Sequence, residues 1–199
     1  FYFKLVCIHI LLKMHSAWNR LNAIFTYAST VICVMLALNS LSVFFLPPPE
    51  VPISMEIHED SFKLARHKYI GSDALFLEFD LEADISALFN WNTKHVFIYL
   101  IAEYDTPKTI NNQVVIWDDL VLTKEDSHIS LKNKRVEYPL LDFATELRNT
   151  EIRFRIEWSI SPISGLIYTS VPHDFALIRP KSQPPVFTVK APAEYSDMF

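Results

Sequence analysis

The sequence predicts a mainly β protein in which a single N-terminal transmembrane helix precedes an antiparallel β-sandwich. Three observations predict this fold. Residues Ala23–Leu46 form an apolar run of 24 residues without a charge. Four prolines, at positions 47, 48, 49 and 52, follow the run. From Ile53 onward, apolar and polar residues alternate with the period of two that is typical of strands with one buried face.

The run Ala23–Leu46 is long enough to cross a bilayer. As a helix it would span roughly 36 Å at about 1.5 Å per residue, and the hydrocarbon core of a bilayer is about 30 Å thick. It is longer than the apolar core of a cleavable signal peptide, which has about 7–15 residues. A buried core helix is the alternative, but such helices are usually shorter and amphipathic. We therefore predict a retained transmembrane helix at 23–46, after a cytosolic segment at 1–22.

Charge on the two sides of the run predicts its orientation. Lys4, Lys13 and Arg20 precede it, whereas the first basic residue after it is Lys63. Positive residues near a membrane helix remain on the cytoplasmic side. The expected layout is a type II signal anchor, with residues 50–199 in the lumen or outside the cell.

The first thirteen residues, Phe1–Lys13, precede Met14, which opens a segment that resembles a natural start. Two interpretations remain open. The segment is either translated upstream sequence or a truncated gene assignment, which we favour, or an apolar extension that lies on the membrane surface.

Small and weakly polar residues lie on one face of the predicted helix, because their spacing follows its 3.6-residue turn. Such faces let helices approach closely in lipid, which predicts packing against a partner helix. The alternative is that small residues are simply common in membrane helices. The residues of this face are Thr26, Thr30, Cys33, Ala37 and Ser40.

The prolines end the helix and predict a stiff spacer at 47–52, because proline lacks the N–H donor. Residues 53–180 are expected to form the sandwich, and residues 181–199 a proline-containing tail. The longest predicted strands are 53–58, 75–82, 152–160 and 96–102, of which the last is apolar throughout and so expected to be central and covered on both faces. Shorter candidate strands are 114–117, 120–123, 129–131, 166–171 and 186–189, and short helical segments are expected at 84–88 and 142–148.

Composition excludes several classes of function. Gly71 and Gly165 are the only glycines, so neither a P-loop nor a dinucleotide-binding loop is possible. The two cysteines, Cys7 and Cys33, both precede Leu46, which leaves the predicted sandwich without a disulfide or a zinc thiolate. A net charge of -5 without a basic cluster gives no indication of nucleic-acid binding.

No pattern of catalytic or metal-binding residues appears, and we predict no catalytic, cofactor or metal site. No serine lies in a GxSxG context. Paired carboxylates such as Asp80 and Glu82 fall on the solvent-exposed face of a predicted strand. This position favours ordinary surface carboxylates over a pair that performs acid–base chemistry. No two of the five histidines after the helix have the spacing of metal ligands; they are His58, His67, His95, His128 and His173. Several aromatic residues could line a ligand cleft, but at strand spacing they are more often core; they are Phe89, Trp91, Phe97, Tyr99, Tyr104, Trp117 and Trp158.

The segments at 80–106 and 111–121 resemble the subunit 3 family of the eukaryotic endoplasmic-reticulum signal peptidase complex. The resemblance extends from Met14 to about Val171. The matching residues that we single out as a motif for the fold or for docking a partner are Asp84, Leu88, Phe89, Trp91, Asn92, Lys94, Glu103, Tyr104, Asn112, Trp117 and Asp118. The sequence departs from the family at Asn149-Thr150-Glu151, where members often carry a glycosylation sequon, and it contains no other lumenal sequon.

The resemblance implies a non-catalytic accessory subunit in the endoplasmic-reticulum membrane. In that family the serine protease is a separate chain. The expected partners are therefore the catalytic signal peptidase subunit, the other small membrane subunits and membrane lipid. Contact with signal-peptide substrates is expected to be indirect. The alternative is an independent membrane-anchored lumenal module that binds carbohydrate or peptide.

Overall fold

The computed structural model describes residues 17–47, 49–66, 71–143, 146–170 and 185–195. It divides the chain into two compact units, Phe1–Phe45 and Leu46–Phe199. The first unit contains helix α1, Ala17–Ser42, and a 3-10 turn, Val43–Phe45. The predicted segment Phe1–Lys13 and the start at Met14 lie outside the described residues.

Helix α1 and the turn after it are long and apolar enough to cross a membrane, by length and composition. No residue of α1 is buried, and Phe25 remains 71% exposed. Among the described residues, this exposure argues against a helix buried in the core of the same chain. The helix begins before the predicted boundary at Ala23, because adding a residue to an existing helix avoids the cost of a new nucleus.

The second unit contains nine strands and one further 3-10 turn, Ser86–Leu88. The strands are β1 (Ile53–Arg66), β2 (Asp73–Asp84), β3 (Thr93–Tyr104), β4 (Asn112–Val121), β5 (His128–Arg135), β6 (Leu140–Asp142), β7 (Glu151–Pro162), β8 (Tyr168–Thr169) and β9 (Val186–Lys190).

These strands form two antiparallel sheets. In the first sheet, β2 pairs with β1 on one side and with β5 and β6 on the other. In the second, β3 lies between β4 and β7, and β7 also pairs with β8 and β9. The fold is therefore mainly β, with an N-terminal apolar helix and an antiparallel sandwich, as the sequence predicts.

A single core fills the space between the sheets. Alternate residues of β2, including Phe79, meet alternate residues of β7, including Phe154, and both of these rings are fully buried. The edge of Phe79 contacts Trp117 of β4, with ring centroids 5.8 Å apart. Burial of large apolar side chains from both sheets is the main favourable contribution to this fold.

Four details differ from the expectations. Strand β3 is central but covered on one face only, since Phe97 and Tyr99 on its outer face are half-buried. The predicted helix at 142–148 is not present in its described part, where Asp142 ends β6. The candidate strand at 166–171 is reduced to Tyr168–Thr169 among its described residues.

The fourth detail concerns the C-terminal part. Strand β9 lies beyond the predicted domain boundary at residue 180, yet it pairs with β7 from Glu151 to Arg155. Phe187 and Val189 pack against the core, so this segment belongs to the sandwich.

Candidate interaction site

The motif residues at 84–94 lie in the segment that leads from the end of β2 in the first sheet to the start of β3 in the second, and we call the attachment of this segment to the loop after β7 the clasp. Asp84 ends β2, and its carboxylate accepts a hydrogen bond from the Ser86 N–H at 2.9 Å. This bond lowers the pKa of Asp84 below its ordinary value. Leu88 is buried beneath the turn and Phe89 packs half-buried against the core.

Asn92 is the centre of the clasp and is itself buried. Its amide N–H donates to the Ser164 carbonyl at 2.8 Å, and its amide oxygen accepts from the Ser164 N–H at 3.0 Å. Its own carbonyl accepts from the Ile163 N–H at 2.6 Å. The loop before β3 is thereby fastened to the loop after β7, 72 residues later in the chain.

Two motif residues of this loop point outward. Trp91 is 56% exposed, and Lys94 is exposed as well. Both side chains therefore lie on the surface, unlike those of their neighbours Leu88 and Asn92.

Glu103 belongs to a polar network on the outer face of the second sheet. The Arg155 guanidinium lies 2.7 Å from Glu103 and 2.6 Å from Glu157. The Tyr99 hydroxyl donates to Glu157 at 3.1 Å. Partial burial, with the adjacent Glu157 carboxylate, raises the pKa of Tyr99 to about 12. Glu157 is buried despite its charge, which Arg155 balances.

The remaining motif residues hold the opposite end of the sheet and the core. Tyr104 is buried, and its hydroxyl donates to Asp142 at 3.5 Å. Burial, with the nearby Asp142, raises the pKa of Tyr104 to about 12. Asn112 donates to the Tyr104 carbonyl at 3.2 Å. Trp117 is core, and Asp118 accepts a hydrogen bond that raises the pKa of Tyr138.

The structure thus separates the motif into fold residues and surface residues. It also shows that Tyr104, Trp117 and Trp158 are buried in the core, so these three do not line a ligand cleft. Sequence reasoning missed Arg155, Glu157 and Ser164. The alternation of opposite charges on one face of β7 was the available signal for the first two, and nothing in the sequence indicated Ser164.

The small face of α1 is exposed along most of its length. Thr30 donates its hydroxyl to the Thr26 carbonyl at 2.8 Å, within the helix. Its hydroxyl therefore needs no partner helix to be satisfied in lipid. Cys33 and Ala37 are exposed too, and the whole face remains a hypothesis for helix packing.

Among the described histidines, His58 has a defined partner, with Nε2 at 2.9 Å from Asp80. His67 and His173 lie outside the described residues. Within the described part of the chain, no group of three or more His, Cys, Asp or Glu side chains is arranged to hold a metal ion.

Comparison with known proteins identifies relatives along most of the chain. A family described as "Signal peptidase subunit" matches residues 14–177. "Signal peptidase complex subunit 3" of Yarrowia lipolytica is 34% identical over 176 residues, covering 79% of this chain and 93% of its own length. The proteins of the same name from Dictyostelium discoideum and Gallus gallus are 35% and 29% identical, each over 77% of this chain and over 88% and 87% of their own lengths.

Proposed function

We propose that this chain, which belongs to the signal peptidase subunit family, is a non-catalytic accessory subunit of the endoplasmic-reticulum signal peptidase complex. It would support a separate catalytic serine protease subunit in removing signal peptides from nascent secretory proteins. One observation carries the proposal. The match at 14–177 includes both α1 and most of the sandwich, and the relatives covered over most of their length are named as subunits of that complex.

The hydrogen bonds of three serines support a non-catalytic role. Ser61 donates to the His58 backbone carbonyl and accepts from the Glu78 N–H. Ser170 accepts from the Trp158 N–H, and Ser164 is held by the amide of Asn92. A nucleophilic serine requires an adjacent base, and in these bonds each hydroxyl meets backbone or amide groups instead.

The anchor in this proposal is α1, with residues 1–22 in the cytosol, a spacer at 47–52 and residues 50–199 in the lumen. Arg20 precedes the apolar part of the helix, and Lys63 is the first basic residue after it. This asymmetry supports a single-pass type II arrangement. Contacts with the other membrane subunits are assigned to the face of Thr26, Thr30, Cys33, Ala37 and Ser40.

Affinity purification of the full chain from mild-detergent extracts of membranes tests the assignment. We expect the serine protease subunit among the co-purifying chains and cleavage of a precursor by the assembly. The purified chain alone should leave the precursor intact. Recovery of a lone chain whose melting temperature rises with a carbohydrate or peptide would instead identify an independent binding module.

A matched pair of variants tests the helix face within the same assay. Ala37→Leu adds bulk to the small face, whereas Ala28→Leu adds the same bulk about 180° away around the helix. We expect Ala37→Leu to lower the recovery of membrane partners and Ala28→Leu to leave it unchanged. Equal recovery with both variants would contradict the helix-face assignment, but not the membership of the complex.

A further inference from the structure

The strand register shows which end of the sandwich contains the first residues of the domain. Ile53, the first residue of β1, pairs with Ala83 near the end of β2. At the corresponding end of the other sheet, Thr93 opens β3 and pairs with Pro162, the last residue of β7. Because the Ile85 N–H, just after β2, donates to the Ser127 carbonyl before β5, that strand also begins here. We call this the proximal end.

The chain enters the sandwich at the proximal end. Ile53 follows Phe45, the last residue of the apolar helical segment, by eight residues. Eight extended residues span at most about 26–29 Å. Three of the intervening positions between Phe45 and Glu50 are prolines, which keep this tether stiff.

The proximal end carries an apolar patch, which we call the proximal patch. It consists of exposed side chains from the loop before β3 and the loop after β7. Their exposed fractions are 56% for Trp91, 63% for Ile163, 72% for Leu166 and 65% for Ile167. Leu122, at the end of β4 in the same sheet, is 60% exposed.

The two loops are held together by hydrogen bonds. The Ile163 N–H donates to the Asn92 carbonyl at 2.6 Å, next to Trp91. Gly165 turns the second loop with a φ of 107°, a conformation that side chains disfavour. Large apolar patches on soluble surfaces mark a site of interaction, and a preformed patch loses little conformational entropy on binding.

The composition of the patch distinguishes a bilayer from other partners. The segment Ile163–Ile167 contains no charge, and tryptophan is enriched where protein meets the membrane interface. Charges elsewhere at this end have both signs, with Lys94 and Lys124 against Asp84, Glu125 and Asp126. The absence of an excess of basic residues among these indicates zwitterionic rather than anionic lipid.

We propose that the proximal patch inserts into the interface of a zwitterionic phosphatidylcholine bilayer. The patch would dock the sandwich on the membrane that α1 crosses, with Trp91 at the headgroup level and Leu166 and Ile167 at the headgroup–acyl boundary. The inference rests on the proposed membrane anchor and is independent of the proposed role in a protease complex.

The distal end of the same sheet offers a matched control. Ile110, in the loop between β3 and β4, is 78% exposed. Its loop contains Asp105 and Lys108, and it adjoins Tyr104 at the end of β3, opposite the start at Thr93. Ile110 is thus at least as exposed as Leu166, but it lacks the apolar surroundings and lies at the end of the sandwich away from the tether.

Fluorescence of a single label in the full chain tests the proposal. Cys7 and Cys33 are replaced by serine, and Leu166→Cys or Ile110→Cys then carries an environment-sensitive nitrobenzoxadiazole dye. The chain is reconstituted in phosphatidylcholine vesicles containing spin-labelled lipid. We expect strong quenching at position 166, at an interfacial depth of about 5–10 Å, and little quenching at position 110.

A second measurement uses the tryptophan itself. Brominated phosphatidylcholine should quench an emission component that the Trp91→Phe variant lacks. The double variant Leu166→Ser and Ile167→Ser should reduce that quenching, and its exposed positions leave the core intact. Folding of each variant is checked by circular dichroism.

The outcomes separate the two proposals. A chain that does not float with the vesicles overturns both the anchor and the patch. A chain that floats but shows equally weak quenching at positions 166 and 110, with no Trp91 component, overturns the patch alone. That second result would assign the proximal patch to a protein partner.

Discussion

A single carboxylate, that of Asp80, joins three strands of the first sheet. Its Oδ1 lies 2.9 Å from His58 Nε2 on β1 and accepts the Asn133 N–H of β5 at 2.6 Å. The hydrogen bond between the two side chains raises the pKa of His58 and lowers the pKa of Asp80 relative to their ordinary values. The folded state therefore favours the charged form of both groups, which is the form that makes the ion pair.

The two shifts predict how the stabilisation of the pair depends on pH. A raised His58 pKa gives a contribution that is complete below about pH 6.5 and is lost as pH rises through the folded-state pKa. A lowered Asp80 pKa gives a contribution present above about pH 4 and lost as pH falls through its folded-state value. The pair should stabilise the sheet most at mildly acidic pH, between these limits.

Nuclear magnetic resonance titration of the full chain in micelles measures the His58 pKa directly. We expect Asp80→Asn to return that pKa toward about 6.5, since the amide keeps an acceptor for Asn133 but loses the charge. The exposed Asp119→Asn variant is the control and should leave the His58 pKa in place. An identical His58 pKa in wild type and Asp80→Asn would contradict the pairing.

The sequence predicts the exposure of such residues but not their partners. The sequence predicts Asp80 on a solvent-exposed strand face, and its carboxylate is partly exposed. Its contact with His58 depends on the register of β1, which shifts between His58 and Lys63. Alternation alone does not encode that shift, because the polar residues of the bulge have no fixed periodicity.

At the scale of elements, strong alternation of apolar and polar residues predicts strands correctly. Irregular pairing between strands cannot be predicted from that alternation. The alternating runs in β2 and β7 appear with the expected faces buried. The sequence predicts strand β4 in two pieces because Asp118 and Asp119 interrupt its apolar pattern. In the structure these two residues pair in regular register with Tyr99 and Ile98, so the strand is continuous, and its one register shift lies between the partners of Leu100 and Ile101. Strand β6 has three residues, too few for a detectable period.

The clasp between the loops of the second sheet gives a prediction about stability. Asn92→Ala removes the amide from a buried position and leaves the Ser164 N–H and carbonyl without these bonds. We expect a loss of about 1–3 kcal/mol in the free energy of unfolding, the usual cost of an unsatisfied buried polar group. Thermal unfolding of the full chain in detergent measures it.

Two further variants make the measurement specific to the clasp. Asn92→Asp keeps the acceptor for the Ser164 N–H but sets a buried carboxylate against the Ser164 carbonyl, so at neutral pH its melting temperature should fall at least as far as that of Asn92→Ala. Lys94→Ala changes an exposed neighbour and should alter stability by no more than about 0.5 kcal/mol. If Asn92→Ala and Lys94→Ala have the same melting temperature, the clasp does not stabilise the sheet.

At the scale of the whole molecule, the sequence predicts the fold class because two different patterns occur in separate segments: an uncharged apolar run and an alternation with a period of two. The uncharged run of α1 and the alternating strands of the sandwich require different environments, so each segment has a single compatible structure. That β9 belongs to the sandwich is less predictable, because 16 residues, four of them prolines, separate this short strand from β8. Its pairing with β7 depends on long-range packing.

Orientation in the membrane is the remaining property of the whole chain, and one substitution tests it. Asn149 is exposed in the turn before β7, and Glu151→Thr converts Asn149-Thr150-Glu151 into a glycosylation sequon. Glu151 is exposed at the first position of β7, where threonine suits a strand. Because Arg20 precedes the apolar run and Lys63 is the first basic residue after it, residue 149 should lie in the lumen.

We expect the variant to gain one endoglycosidase-sensitive glycan in cells, visible as slower electrophoretic migration. Adding Asn149→Gln should abolish the shift, and a sequon fused before Phe1 should stay unmodified. Modification at the N-terminal sequon alone would place the sandwich in the cytosol, away from any lumenal protease.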